Sequence, residues 1–241
     1  MFGAGQLGPK ERLSAGLARV IEMRRTLHAE PAVNERWLAI KQWQAARLAR
    51  TYPDLLASAR YRPACQFFLD ELYGAKDFEA RDSEALRVVP KLARMLPERA
   101  VETMALAVEL DETSESLDAR LAKAIRLPVD ADGYARAYRE TGTLAEREHQ
   151  IDTVERIGRT LEKLARIPLI SGMLHMMRAP AEAAGFGHLH NFLQNGFDAF
   201  HAMGPAGDFL GTIRSRETAL MQALFAGRTE ELERPELLIR E

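Results

Sequence analysis

The stretch Glu98–Arg126, ERAVETMALAVELDETSESLDARLAKAIR, decides the fold. Val101, Met104, Ala105 and Val108 recur at i, i+3, i+4 and i+7, the spacing of one face of an α-helix. Leu106, Leu110, Leu117 and Leu121 line a second face. A helix apolar on two faces needs neighbours on both sides, which places it inside a multi-helix assembly. Continuing the first stripe at helical spacing brings Glu112 and Glu115, with Asp111 beside them. A carboxylate that continues a core stripe has to be solvated, paired or functional, because an unpaired buried charge is very costly.

Outward from this helix the pattern repeats, punctuated by proline and glycine. Pro9 opens a helix that runs to about Glu30, and Asn34 caps one that reaches Thr51. Short helices follow from Pro53 and from Pro63, the latter ending at Gly74. Asp77 caps a helix to Leu96 that Pro90 kinks. After the turn Pro128–Gly133 a short helix ends at Gly142, and Thr143 with Glu146 has capping-box spacing for Leu144–Ile167. Leu169–Arg178 is apolar and rich in methionine, and Pro180 and Gly185 bracket a further short piece. Gly187–Met203 and Asp208–Phe225 complete the set. No sustained alternation of apolar and polar residues and no Asn-Gly or Asp-Gly hairpin turn is present. The expectation is all-α: one domain over 1–241, an orthogonal or up-down bundle of roughly nine or ten helices around 98–126. Residues 1–8 form a flexible arm and 229–241 a charged tail that frays.

Composition narrows the function classes. Of 241 residues 46% are apolar and 28% charged, ordinary for a folded soluble protein, and the net charge of −2 supplies no field for nucleic acid. A single cysteine, Cys65, rules out an intramolecular disulfide framework. No run approaches the roughly 18 apolar residues of a membrane span, and Met1–Gly8 lacks the features of a signal peptide, so the expected location is the cytoplasm.

Several motifs carry a bland reading. Gly3-Ala-Gly5-Gln-Leu-Gly8 matches the dinucleotide fingerprint, but only Met1 and Phe2 precede it, which leaves no strand to present the turn. Glu146-x-x-His149 and Asp198-x-x-His201 resemble halves of a di-iron bundle, yet His149 falls outside the lane Ile151–Val154–Ile157–Leu161–Leu164 and Asp198 opposite its own. His190 and His201 are separated along one helix by roughly 16 Å, too far for one metal. At His175, among Met173, Met176 and Met177, a haem ligated by His and Met is conceivable, but no Cys-x-x-Cys-His attachment motif is present. No cofactor is expected.

Polar residues on apolar faces are the better candidates. Arg81 lies at the edge of the lane Phe78–Ala85–Val89–Leu92–Leu96, with Asp82 on its other flank. Gln150 lies in the core lane of its helix and Arg147 beside it. Facing these with Glu112 and Glu115 suggests a buried network of Glu115 with Arg81 or Arg147, completed by Gln150 and by Glu71 or Asp118. Glu115, Glu112, Arg81, Arg147, Gln150 and His175 are therefore the candidate ligand-binding residues, with no catalytic or metal assignment.

Phe67-Phe-Leu-Asp-Glu-Leu-Tyr-Gly74, Asp77-Phe-Glu-Ala-Arg-Asp82 and Val89-Pro90 resemble an uncharacterised family of bacterial all-helical proteins. The runs Ile167–Ala181 and Asn191–Met203, and Arg216-Glu217, fit the same resemblance. It implies one helical fold and a bacterial protein, with no known activity and no site residues.

Three functions stand as expectations. The first is a non-catalytic protein acting through protein partners or self-association as a homo-oligomer, exposing an apolar patch on Leu169–Met177 or the last helix. The second is a binding protein or sensor with a Met- and Phe-lined pocket gated by the Arg/Glu network. The third is an enzyme using the inward carboxylates near Arg81, Arg147 or His175. The first is preferred.

Overall fold

The computed structural model describes residues 7–71, 79–94, 96 and 98–239, without the side chains at 79, 168 and 169. Most of the Gly3–Gly8 fingerprint, the first six residues of the arm, Leu72, Tyr73, Phe78 and the Asp77 cap lie outside the described residues.

Among the described residues there are twelve helices and no strand, and 85% of those residues are helical. In chain order they are α1 (Pro9–His28), α2 (Pro31–Thr51), α3 (Pro53–Ala57), α4 (Arg62–Glu71), α5 (Glu79–Leu92), α6 (Glu98–Ala124), α7 (Ala131–Thr141), α8 (Leu144–Ala165), α9 (Pro168–Ala183), α10 (Gly187–Met203), α11 (Gly207–Phe225) and α12 (Glu230–Glu233). Ten of them have at least seven residues.

The chain's punctuation explains most ends. Thr143 and Glu146 close the capping box at the start of α8, and Asp130 Oδ1 accepts from Gly133 N at 2.7 Å to cap α7. Gly204, at φ 69°, takes the left-handed conformation that ends α10. Three details differ from expectation. α2 starts at Pro31 rather than after an Asn34 cap, because proline at N1 costs no hydrogen bond. α9 runs through Pro180 as one helix instead of two pieces. The charged tail folds back: Leu232 and Leu238 are buried against α2, α7 and α11.

α6 is the central helix. It touches α1 along most of its length, and also α2, α7 and α8. Its N-terminal half, with Val101 and Ala105, joins Leu13, Leu17, Ala85, Val89 and Leu189 in one apolar cluster. Its C-terminal half, with Leu121, Ala122 and Ile125, joins Trp37, Ile40, Tyr134, Leu220 and Leu224 in another. A third cluster gathers Tyr52, Leu55, Phe200, Met203, Phe209 and Leu210 where α3, α8, α10 and α11 meet. α8 approaches α11 closely at Gly158, where a Cβ would come within 2.4 Å of Leu210 Cδ2.

Candidate functional site

Between these clusters runs a belt of buried polar side chains. On α1 the lane Leu13–Leu17–Val20–Leu27 is interrupted by Arg24, which is buried. On α2 the inward lane continues from Trp37 and Ile40 into Lys41, Gln44 and Arg47, all buried. Both lanes face α6 between Asp111 and Asp118, at the junction of its two apolar halves.

Glu115 is the centre of the belt and is 1% exposed. Its Oε1 accepts from Arg24 Nε at 3.3 Å, from Arg24 Nη2 at 3.1 Å and from Lys41 Nζ at 3.3 Å. Its Oε2 accepts from the Trp37 indole Nε1 at 3.1 Å. Arg24 also donates to Asp82 on α5 at 2.6 Å and to both oxygens of Asp111 at 2.8 and 3.0 Å. Lys41 reaches Asp118 at 2.7 Å, and Gln44 Nε2 reaches the other oxygen of Asp118 at 3.0 Å. Burial acts to lower the Lys41 ammonium, but Asp118 and Glu115 outweigh it and the net shift is upward, so Lys41 stays charged. Arg24 is likewise held charged against its burial by Asp111, Glu115 and Asp82.

The belt continues along α2. Arg47 Nη1 donates to Glu217 on α11 at 2.5 Å, and the Tyr52 hydroxyl donates to the same oxygen at 2.7 Å. Arg216 binds both oxygens of Asp54 at 2.7 and 2.8 Å and the Thr51 carbonyl at 2.9 Å. Burial and the neighbouring Glu217 push the Tyr52 phenol up.

The sequence-derived candidates separate accordingly. Glu115 is inward as expected, but neither Arg81 nor Arg147 is its partner. Arg81 sits over the Phe192 ring at 4.8 Å and reaches Asp82 at 3.5 Å and the Glu71 carbonyl at 3.4 Å. Glu112 lies at the rim, where Arg19 binds both its oxygens at 2.5 and 2.8 Å. Arg147 is buried on the Tyr138 ring, 4.0 Å from its centroid, with Gln150 Oε1 at 3.5 Å. Gln150 in turn donates to Ser114 at 2.7 Å. His175 is exposed on α9 with its Nδ1 2.9 Å from the Ser171 carbonyl, and none of its described contacts reaches the α6 carboxylates. Reasoning from sequence missed Arg24, Trp37, Lys41, Gln44 and Arg47. The signal for them was the one that found Glu115: a polar residue continuing an apolar lane.

Chemically, Glu115 is saturated. Each of its oxygens has a partner, and so does the ammonium of Lys41, whereas Gln44 Oε1 and Arg47 Nε farther along α2 are buried without one. Two surface depressions lie away from these contacts, one of 290 Å³ lined by Glu112, Thr113, Ser116, Arg120, Glu146 and His149, the other of 670 Å³ at Trp43, Leu127 and Pro128. Neither is lined by methionine or phenylalanine. At the first, hydrogen bonds from Arg120 and the Thr143 backbone hold the Glu146 carboxyl down at about 2. Cys65 is buried and its thiol is pushed up to about 11 by that burial, which disfavours the thiolate. Among the described residues no group of three His, Cys, Asp or Glu is placed to hold a metal, and no helix is long and apolar enough to cross a membrane.

The interior ion pairs are thus built like fold determinants, and the surface offers one different feature. α9 turns Met173, Met176 and Met177 outward, 42%, 73% and 38% exposed, with Ile167 at 42% just before it. At i, i+3 and i+4 the three thioethers form one strip beside the inner lane Ile170–Leu174–Ala181.

Comparison with known proteins gives one match: the family model of a domain of unknown function (DUF8198) covers residues 23–231. No curated protein and no solved structure matches the chain. The matched span runs from the last turn of α1 to α12, so it contains the whole ionic belt and the methionine strip.

Proposed function

The chain belongs to the DUF8198 family, and from that premise and the geometry above we propose that it is a non-catalytic helical protein that works by docking an apolar helical surface of another protein chain against α9. One observation carries this reading: three methionines at i, i+3 and i+4 stand exposed together on a helix whose buried side is small. Exposed apolar side chains scattered singly are normal, as with Leu7 or Leu86 here. Clustered on one face they mark an interaction surface, and flexible thioethers suit a surface that adapts to its partner. The hydrogen-bonded state of Glu115 and Lys41 supports the same reading, because both groups are already held by partners inside the protein.

The test replaces Met173, Met176 and Met177 by serine together. Sedimentation velocity over a range of concentrations reads self-association, and crosslinking from a photoreactive methionine analogue reads heterologous contact. The variant keeps the wild-type melting temperature and loses the association or the crosslink. A wild type that stays monomeric and crosslinks to nothing from α9 would overturn the proposal.

A further inference from the structure

Burial divides the methionines of this chain sharply. Of the nine, Met1 and Met95 lie outside the described residues. Met203 and Met221 are 1% exposed inside the core, and Met23 and Met104 are half-buried. The exposed ones, Met173, Met176 and Met177, all stand on the outer side of α9. A thioether is oxidised through its sulfur, so the oxidant has to reach that atom, and exposure sets the order of reaction. The cysteine does not compete. Peroxides react with the thiolate, and burial of Cys65 on α4 disfavours that form at neutral pH. A peroxide therefore meets the α9 thioethers before the other described sulfurs.

Position decides what oxidation does there. α9 rests on α10 and α8, with Ile170, Leu174 and Ala181 on its less exposed side. The three methionines stand on the other side, at i, i+3 and i+4. Adding oxygen to them alters the outer face and leaves the packed side as it is. A sulfoxide is polar and accepts hydrogen bonds, and burying it against an apolar surface that has no donor is costly. Oxidation of Met203 or Met221 would instead place that group in the core and damage the fold.

We propose that Met173, Met176 and Met177 are a peroxide-sensitive modification site, where oxidation to the sulfoxides makes the outer face of α9 polar and switches docking off. The effect on docking rests on the function proposed above. A sulfur lone pair attacks one oxygen of hydrogen peroxide and the O–O bond breaks. The proton on the transferred oxygen passes to the departing hydroxide, which leaves as water. Sulfur loses two electrons and the peroxide gains them. Methionine sulfoxide reductases, one for each epimer, reverse the step, and the exposure of α9 gives them access.

Full-length protein treated with hydrogen peroxide at neutral pH, then mapped by peptide mass spectrometry over time, tests the site. Met176 is oxidised first, and all three α9 positions react roughly tenfold faster than Met203 and Met221. At that stage retention on a phenyl column falls, the melting temperature is unchanged, and association through α9 is lost. The two reductases together restore retention and association. In the variant with serine at positions 173, 176 and 177, retention does not respond to peroxide. Met203 or Met221 reacting as fast as α9 overturns the site. So does a melting temperature that falls as α9 is oxidised, or a retention that does not change. Association that survives oxidation of all three, yet is lost in the serine variant, overturns the switch and leaves docking standing. A wild type that reacts selectively and reversibly but never associates overturns docking and leaves the modification site standing.

Discussion

Arg24 lays Nε and Nη2 on one oxygen of Glu115, at 3.3 and 3.1 Å, across the contact of α1 with α6. The same guanidinium holds Asp82 on α5, so one side chain fixes the register of three helices. Buried ion pairs contribute little net stability compared with apolar packing, but an incomplete one is strongly destabilising. Mispairing any of the three helices would strand a charge. That makes the belt a device for a unique arrangement of a core otherwise divided into three separate apolar clusters.

Glu115→Gln is expected to destabilise the protein by about 3 kcal/mol. The amide places donors against Arg24 or Lys41 and removes the charge that both face, although Asp82, Asp111 and Asp118 remain. Urea unfolding at neutral pH measures it. Association through α9 stays unchanged in the same variant. A loss below about 0.5 kcal/mol would place Glu115 among ordinary surface substitutions and refute its central role.

Two glycines in helices are expected to respond with opposite signs. Gly158→Ala drives a methyl into Leu210, 2.4 Å from Cδ2, and costs about 1–3 kcal/mol through overpacking. Gly211→Ala meets nothing within 4 Å on α11 and gains about 0.5–1 kcal/mol from helix propensity. Combining Gly158→Ala with Leu210→Ala should recover part of the first loss. Simple additivity in that double-mutant cycle would show that the two side chains do not meet.

The architecture was legible where punctuation is local. The capping box at Thr143 and Glu146 and the span Gly187–Met203 require only neighbours in sequence. Pro180 misled because a proline ends a helix by removing one hydrogen bond, and a largely exposed helix such as α9 tolerates that loss. The belt was half legible. Glu115 announced itself by continuing an apolar stripe, and Arg24 and Lys41 do the same on α1 and α2. Which of these helices meets α6 is not contained in any one helix's period, so Arg81 and Arg147 appeared equally good partners. Asp82 and Glu217, two residues on which the resemblance rests, belong to the buried ion pairs, and Arg216 pairs with the half-exposed Asp54.

Alkaline pH should unfold the protein from within. Burial raises the Tyr52, Tyr134 and Tyr138 phenols above the ordinary tyrosine value, and Lys41 is raised, against its burial, by Asp118 and Glu115. For groups raised on folding, the stabilisation is complete below the unfolded value and is lost as pH rises toward the folded one. Unfolding free energy is therefore expected to hold up to about pH 10 and to fall between about pH 10 and 12. Urea melts across that range, with tyrosinate absorbance followed in parallel, measure both. Early titration of all the tyrosines in the folded state would show that these phenols are not protected.

The C-terminal tail provides the sharpest contrast between composition and structure. Glu230, Glu231, Glu233, Arg234 and Glu236 make it look solvated, yet Leu232 is 2% exposed and Leu238 9%. The short α12 and the 3₁₀ turn Pro235–Leu238 bring both leucines onto the cluster of Trp37, Ile40, Leu220 and Leu224. Arg234 pairs with Glu230 at 2.6 Å and with Glu236 at 3.2 Å at the surface, and Glu231 pairs with Arg228 at 3.1 Å although its Oε2 is buried without a partner. Leu232→Ala should then cost about 2–4 kcal/mol, as for a core leucine, while Arg234→Ala changes stability by less than about 0.5 kcal/mol. Denaturant unfolding of the two variants checks the pair. A Leu232→Ala protein as stable as wild type would return the tail to the frayed state that its charge suggests.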